Sequence, residues 1–192
     1  MIDLSSIEPN LCEAISRFHF HGWLINYLKK YFSDGNNIEH QSFKSRTYTD
    51  DENTGLFIGD SSALDYNLIE KRPAILIQRR QSEISKVNPF GGEVHSSYYP
   101  TTETTRFTMD LMNMSYIAFC FGRTPAESEI LSWETAGAIN KLTRILALNG
   151  VVQNLYVDFV GEQRLVPESS RIYVTLVRIR ARFGLISKID VT

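Results

Sequence analysis

The stretch RIYVTLVRIRARFG, Arg171 to Gly184, changes character halfway along its length. Successive residues of a β-strand point to opposite faces of the sheet. One face of this segment begins with Ile172, Val174 and Leu176 and continues with Arg178, Arg180 and Arg182. The other face stays apolar, with Tyr173, Val177, Ile179, Ala181 and Phe183. The segment therefore predicts a strand that is covered on both faces at first and then projects a ladder of arginines.

Other segments supply the rest of the predicted sheet. PAILIQRR, from Pro73 to Arg80, has the β-branched composition of a strand and begins with proline, which is tolerated at a first strand position. TRFTMDLMNMSYIAFCFG alternates apolar residues but is interrupted by Asn113 and Ser115, so we predict one long bent strand or two strands meeting at a bulge. VVQNLYVDFVG, which begins at Val151, reads as a further strand.

Two helices are predicted. The first runs from about Ile7 to Phe32, with an apolar stripe at helical spacing that includes Gly22, Ile25, Leu28 and Phe32. The second follows TPAESEI: Thr124 is a typical N-cap, Pro125 suits the first helical position, and Glu127 completes a capping box. This helix is expected to end near Leu148. The order of elements predicts a single α+β domain over residues 1–192, in which two main helices pack on a mostly antiparallel sheet.

Long loop excursions are expected at residues 33–71 and 81–104, since these stretches are rich in polar residues and glycine. Residues Gly35 to Asp65 contain one compact apolar segment, GLFIG. We expect this loop to be mobile in the isolated protein, because it offers little apolar area to offset the entropy of ordering. We expect GLFIG to become ordered against an adjacent subunit.

Composition excludes several classes of protein. The 192 residues carry a formal net charge of −2, which argues against a protein that coats nucleic acid. No apolar run approaches the ~18 residues of a membrane-spanning helix, and the first ten residues lack the pattern of a signal peptide. We therefore expect an intracellular origin. Cys12 and Cys120 are expected to be buried free thiols.

No cofactor, metal or catalytic motif is evident. His19 and His21 would point about 200° apart on a helix and do not form a chelating pair. His40 and His95 lack nearby ligands, and the acidic run Asp50 to Glu52 lacks the spacing of a calcium loop. Ser61 and Ser62 do not lie in a G-x-S-x-G motif, and NPFGG is not a phosphate-binding fingerprint. We expect no enzyme activity and no cofactor.

The order of elements resembles that of the tail terminator and head–tail joining (neck) proteins of long-tailed bacteriophages. The resemblance covers most of the chain, and it rests on RPAILI at Arg72 to Ile77, the helix from Pro125 to Leu148, and the alternating strand that ends at Phe183. The chain departs from the family pattern by its two long excursions. The resemblance implies a structural virion protein made in the host cytoplasm. It would form a homo-oligomeric ring, hexameric or dodecameric, between connector and tail proteins, with DNA passing through the lumen.

On this interpretation, the subunit interface includes Arg79, Arg80, Arg178, Arg180, Arg182, Leu56, Phe57 and Ile58. Two further interpretations stay open. A nucleic-acid-binding module would use the five arginines together with Tyr98 and Tyr99. A small hydrolase or transferase is the third interpretation, although the sequence offers no residue to which its chemistry can be assigned.

Overall fold

A computed structural model describes residues 19–51, 54–63, 73–85, 105–146, 152–167 and 171–190. Helix α1 spans His19–Ser33 and helix α2 spans Pro125–Leu146. Short 3-10 turns lie at Gly35–Asn37, Gln41–Phe43 and Ser61–Ala63. The helices pack on a mixed six-stranded sheet that is mostly antiparallel, which confirms the predicted α+β class. The part of the first predicted helix before His19 lies outside the described residues.

The strands are β1 Phe57–Asp60, β2 Ala74–Ser85, β3 Thr105–Gly122, β4 Val152–Val160, β5 Arg164–Leu165 and β6 Tyr173–Asp190. Their spatial order is β1-β2-β3-β6-β4, and β5 pairs with β6 beside β4. Strand β1 is parallel to β2, and every other pairing is antiparallel. The sequence prediction did not contain β1 or β5. Two of the predicted strands were too short: β2 continues beyond Arg80 to Ser85, and β6 continues beyond Gly184 to Asp190.

The pairing of β3 with β6 forms the centre of the sheet. The two strands, each of 18 residues, align without interruption from Thr105 opposite Asp190 to Gly122 opposite Tyr173. Of the two alternatives predicted for this segment, one long strand is therefore confirmed, and β3 has no bulge at Asn113 or Ser115 in its pairing with β6. Instead the irregularity lies in its neighbour β2, where the register shifts between Arg79 and Ser82.

One face of the sheet and both helices enclose the main core. Strand β6 contributes Val177, Ile179, Ala181 and Phe183, and β3 contributes alternate residues from Met112 to Cys120. Helix α1 buries Phe20, Leu24, Leu28, Tyr31 and Phe32. The buried stripe differs from the predicted one, since Gly22 is exposed and Ile25 is only partly buried. The Tyr27 hydroxyl donates to the Ala138 carbonyl at 2.9 Å and ties α1 to α2.

The start of α2 is capped as the sequence predicts, with one change of partner. Thr124 Oγ1 accepts a hydrogen bond from the Glu127 amide at 3.1 Å. The Glu127 carboxylate accepts from the Arg123 amide at 2.5 Å rather than from the N-cap residue itself. It also pairs with the Arg46 guanidinium. Glu127 therefore fixes both the helix start and the loop that carries Arg46.

The polar loop after α1 is ordered by the protein itself. Glu134 of α2 is buried, and its two carboxylate oxygens accept from the Glu39 amide at 3.2 Å and the His40 amide at 2.5 Å. Ile38 and Phe43 of the loop are buried in the main core. Residues 35–51 and 54–63 therefore make contacts within their own chain that were not predicted from the sequence, and the mobility of the loop in the isolated protein stays a prediction. The loop has few buried apolar side chains, but the buried Glu134 carboxylate accepts hydrogen bonds from two of its main-chain amides.

Part of the GLFIG segment, Phe57 to Gly59, lies in β1 and pairs with β2 of the same chain. Leu56 is 0% exposed and Ile58 is 2% exposed within the core of the same chain, while Phe57 is partly buried on the opposite face of the sheet. The assignment of Leu56 and Ile58 to a subunit interface is corrected, because their side chains have no surface left for a neighbour. Residues 64–72 and 86–104 of the predicted excursions lie outside the described residues.

Replacing Thr124 by alanine removes the acceptor for the Glu127 amide. We expect Thr124→Ala to lower the free energy of unfolding by about 1 kcal/mol and Thr124→Ser to lower it much less, because serine keeps the capping hydroxyl. Urea unfolding of the three proteins checks this. Equal stability of the alanine variant and the original protein would show that the cap contributes nothing.

Replacing Glu134 by alanine removes both acceptors from the Glu39 and His40 amides. Hydrogen bonds to charged groups contribute about 1.5–3 kcal/mol each, so we expect Glu134→Ala to release the 35–51 loop and accelerate its cleavage in limited proteolysis. Glu134→Gln keeps one carbonyl acceptor and should give an intermediate rate. Cleavage of the alanine variant at the original rate would contradict this account of the loop.

Candidate functional site

The face of the sheet opposite the helices carries the predicted arginine ladder. Arg178, Arg180 and Arg182 are exposed, while their neighbours in sequence, Val177, Ile179, Ala181 and Phe183, are buried on the helix side. The division of β6 into an arginine face and an apolar face is thus as the sequence predicts. Nearer the start of β6, the same face is covered by a small apolar cluster that comprises Ala74, Leu76, Phe121, Val166 and Ile172. The arginines begin where that cluster ends.

A single carboxylate sits between two of the arginines. Asp158 Oδ2 lies 3.0 Å from Arg180 Nε and 3.6 Å from Arg178 Nη1. Asp158 falls at a register shift in β4, because Val157 aligns with Ile179 and Phe159 already aligns with Arg178. A β-bulge of this kind re-aims side chains along a strand. Asp158 partly offsets the repulsion between the two guanidinium groups, and as a half-exposed ion pair it contributes little to folding.

The third arginine has a neutral partner. Arg182 aligns with Asn113 of β3, and its Nε donates to Asn113 Oδ1 at 3.0 Å. Asn113 is one of the two residues that interrupt the alternation of β3 in the sequence. Its polarity is explained by the arginine opposite it. An amide oxygen leaves the full positive charge of Arg182 on this surface.

Two aromatic side chains lie beside the arginines. Phe159 is 50% exposed, and the Arg178 guanidinium lies 5.7 Å from the centroid of its ring. Tyr156, also exposed, aligns with Arg180 in the register of β4 with β6. Guanidinium groups are attracted to aromatic faces. We call Tyr156, Phe159, Arg178 and Arg180 the aromatic–arginine patch.

Sequence reasoning missed the aromatic half of this patch. Strict alternation in β4 would have placed Tyr156 and Asp158 on one face, beside the arginines. It would also have placed Phe159 on the opposite, buried face. The bulge at Asp158 brings Phe159 to the arginine face instead, and no residue in the segment indicates a bulge. From the sequence, only Tyr156 and Asp158 could have been placed on the same face as the arginines.

Arg79 lies on the face of the sheet opposite the patch. Arg79 aligns with Tyr116, which in turn aligns with Ile179, so Arg79 belongs to the helix-side face of the sheet. Arg80 falls within the register shift of β2. Both are exposed. The structure therefore places Arg178, Arg180 and Arg182 on one face of the sheet and Arg79 on the other.

The candidate nucleophiles are held in structural roles. The Ser62 hydroxyl and amide both donate to Asp60 Oδ1, at 2.6 and 2.7 Å, and these two bonds are the main reason that the pKa of Asp60 is lowered. His21 pairs with the other carboxylate oxygen. Asp60 stands between the serine and the histidine, so His21 is bonded to Asp60 and not to Ser62. Burial raises the pKa of the Cys120 thiol to about 12, which leaves it unreactive at neutral pH.

Metal binding finds no support in the described residues, where no three His, Cys, Asp or Glu side chains are grouped as ligands. Asp50 accepts from the Tyr48 hydroxyl at 2.5 Å, and Asp51 accepts from the Thr49 hydroxyl at 3.2 Å. Tyr98, Tyr99, His95 and Glu52 lie outside the described residues.

Comparisons with known proteins identify no relative: no protein-family model and no curated protein matches the chain. In the described part of the chain, neither helix combines the length and the apolar character needed to cross a membrane.

Replacing Asp158 tests whether its carboxylate lowers the positive charge of the aromatic–arginine patch. Since exposed ion pairs contribute about 0–1 kcal/mol, we expect Asp158→Asn to change the melting temperature little. The variant should bind heparin more tightly than the original protein, because two guanidinium groups lose their counter-charge. The matched control is Asp34→Asn, which removes an exposed carboxylate near α1. Equal heparin retention of the Asp158 variant and this control would show that the patch does not act as a local cationic surface.

Proposed function

We propose that this chain is a structural protein that assembles into a ring at the head–tail junction of a tailed bacteriophage, as a tail terminator or neck protein. The observation that carries the proposal is the part of the β6 face, at Arg178, Arg180 and Arg182, that no described residue covers. A sheet with helices on one side exposes on its other side three arginines, Tyr156 and Phe159. A surface of this kind is typical of an interface, where aromatic residues and arginine are enriched.

The order of elements supports the choice of assembly. The helix, the RPAILI strand, the long strand, the capped helix and the closing strands correspond to the pattern on which the resemblance rests. Self-association would bury the aromatic–arginine patch and allow its guanidinium groups to stack on an aromatic side chain of the neighbour, a contact that Asp158 does not repel. Arg79 and Arg80 of β2, which are both exposed, are proposed as a further part of the contact between subunits.

Asp158 favours a protein partner over a nucleic acid. A carboxylate placed between Arg178 and Arg180 would repel a phosphate that approached the same two groups. The nucleic-acid-binding alternative predicts binding that falls steeply as salt concentration rises. A filter-binding titration at two salt concentrations tests that alternative directly.

Reversing the charge of two ladder arginines tests the proposal. Arg178→Glu combined with Arg180→Glu should give a folded monomer that no longer forms the ring, because three carboxylates then face the neighbour. The measurements are a thermal melt, which separates loss of assembly from loss of folding, and a sizing experiment.

Two controls accompany this variant. Lys30→Glu combined with Lys44→Glu makes the same change of net charge at exposed residues on α1 and the adjacent loop, and it should leave the ring intact. Arg178→Gln combined with Arg180→Gln removes the arginines without adding repulsion from Asp158. Normal assembly of both arginine variants would refute the proposed role of the ladder.

A further inference from the structure

Helix α2 presents an exposed tryptophan. Trp133 is 61% exposed, and it is the most exposed of the large apolar side chains in the described part of the chain. Its neighbours Ser132 and Glu134 are buried. Tryptophan is usually well covered in folded proteins, and it dominates the energetics of many interfaces. The packing of a single subunit gives no reason for a tryptophan at this position.

A glycine lies beside Trp133 on the surface of α2. Gly137 lies one turn further along α2, on the same side of the helix as Trp133. A Cβ atom added at Gly137 would meet nothing within 4 Å, so the packing of one subunit does not require glycine there. Glycine weakens a helix interior relative to alanine. Its absence of a side chain leaves one flank of the indole open to a neighbouring surface.

The aromatic–arginine patch has the chemistry to receive an indole ring. Arg178 already lies over the ring of Phe159 at 5.7 Å, and half of that ring is still exposed. Tryptophan is the aromatic side chain that attracts a guanidinium most strongly, and guanidinium groups stack on flat rings. An indole placed against Phe159 would lie within reach of Arg178 and Arg180.

The two surfaces lie on opposite sides of the molecule. Helix α2 covers the helix-side face of the sheet, and Trp133 is on the side of α2 that solvent reaches. The patch lies on the other face of the sheet. A contact between two different surfaces of identical subunits is heterologous, and such a contact closes into a ring when the rotation between subunits allows it.

We propose that Trp133 of one subunit packs on the aromatic–arginine patch of the next, so that the occupant of the patch is a second copy of this chain. This inference rests on the proposed function, since it names the two surfaces that join the subunits of the ring.

Mixing two complementary variants tests the contact. The first is Trp133→Ala, which keeps the patch. The second combines Phe159→Ala with Arg178→Ala and keeps Trp133. Each alone should be a monomer when its mass is measured in solution. Their equimolar mixture should form a heterodimer and stop there, because only one intact contact can form between them.

Fluorescence supplies a second measurement on the same proteins. The chain contains two tryptophans, Trp23 and Trp133. On assembly, the emission of the original protein should shift to shorter wavelength as Trp133 leaves water, whereas Trp133→Ala should show no shift. Circular dichroism confirms that each variant is folded. If the combined patch variant is not folded, Arg178→Ser with Tyr156 and Phe159 intact replaces it.

The outcomes separate this inference from the proposed function. If the original protein forms a ring and the two variants do so equally well, the Trp133 contact is wrong and the ring remains. If each variant is monomeric and the mixture is monomeric too, Trp133 and the patch do not meet. If the original protein is monomeric at every concentration, both proposals fail. Lys30→Ala, at an exposed position of α1 away from both surfaces, is the control and should assemble normally.

Discussion

The pairing of β3 with β6 determines where every other part of the molecule can lie. The two strands align along 18 residues each, and β2, β4 and β5 attach to their flanks. Because β6 alternates apolar and arginine residues over half of its length, only one of its faces can accept the helices. A register slip of one residue would bury the arginines and expose Val177 and Ile179. Strand β6 therefore determines which face of the sheet packs against the helices and which face carries the exposed arginines.

Buried carboxylates give order to a segment that is poor in apolar residues. Glu127 and Glu134 lie two turns apart on α2, and both reach the loop that follows α1. One pairs with Arg46, and the other accepts from two main-chain amides. Composition alone favours a mobile loop, since few side chains offset the entropy of ordering. Glu127 and Glu134 of α2 supply stabilising contacts to a loop that has few apolar side chains to bury.

Alternation along β6 and the capping residues of α2 were readable from the sequence, because both depend on local geometry. The face of the arginines and the helix start at Pro125 follow from spacing alone. Strand β1 was not readable, since GLFIG is short and acquires its role only by pairing with β2. The same limit applies to Phe159, whose exposure depends on a bulge, and to Arg79, whose face depends on the register of β2 with β3. Long-range pairing decides these positions, and no local pattern encodes it.

The account as a whole depends on self-association through the bare face of the sheet, with Asp158 moderating the charge of the arginines in the free subunit. The most direct test is the native mass of the purified full-length protein, measured over a wide range of concentrations. The account predicts one closed species with six or twelve subunits. A protein that remains monomeric at the highest concentration, with its folding intact, would contradict it.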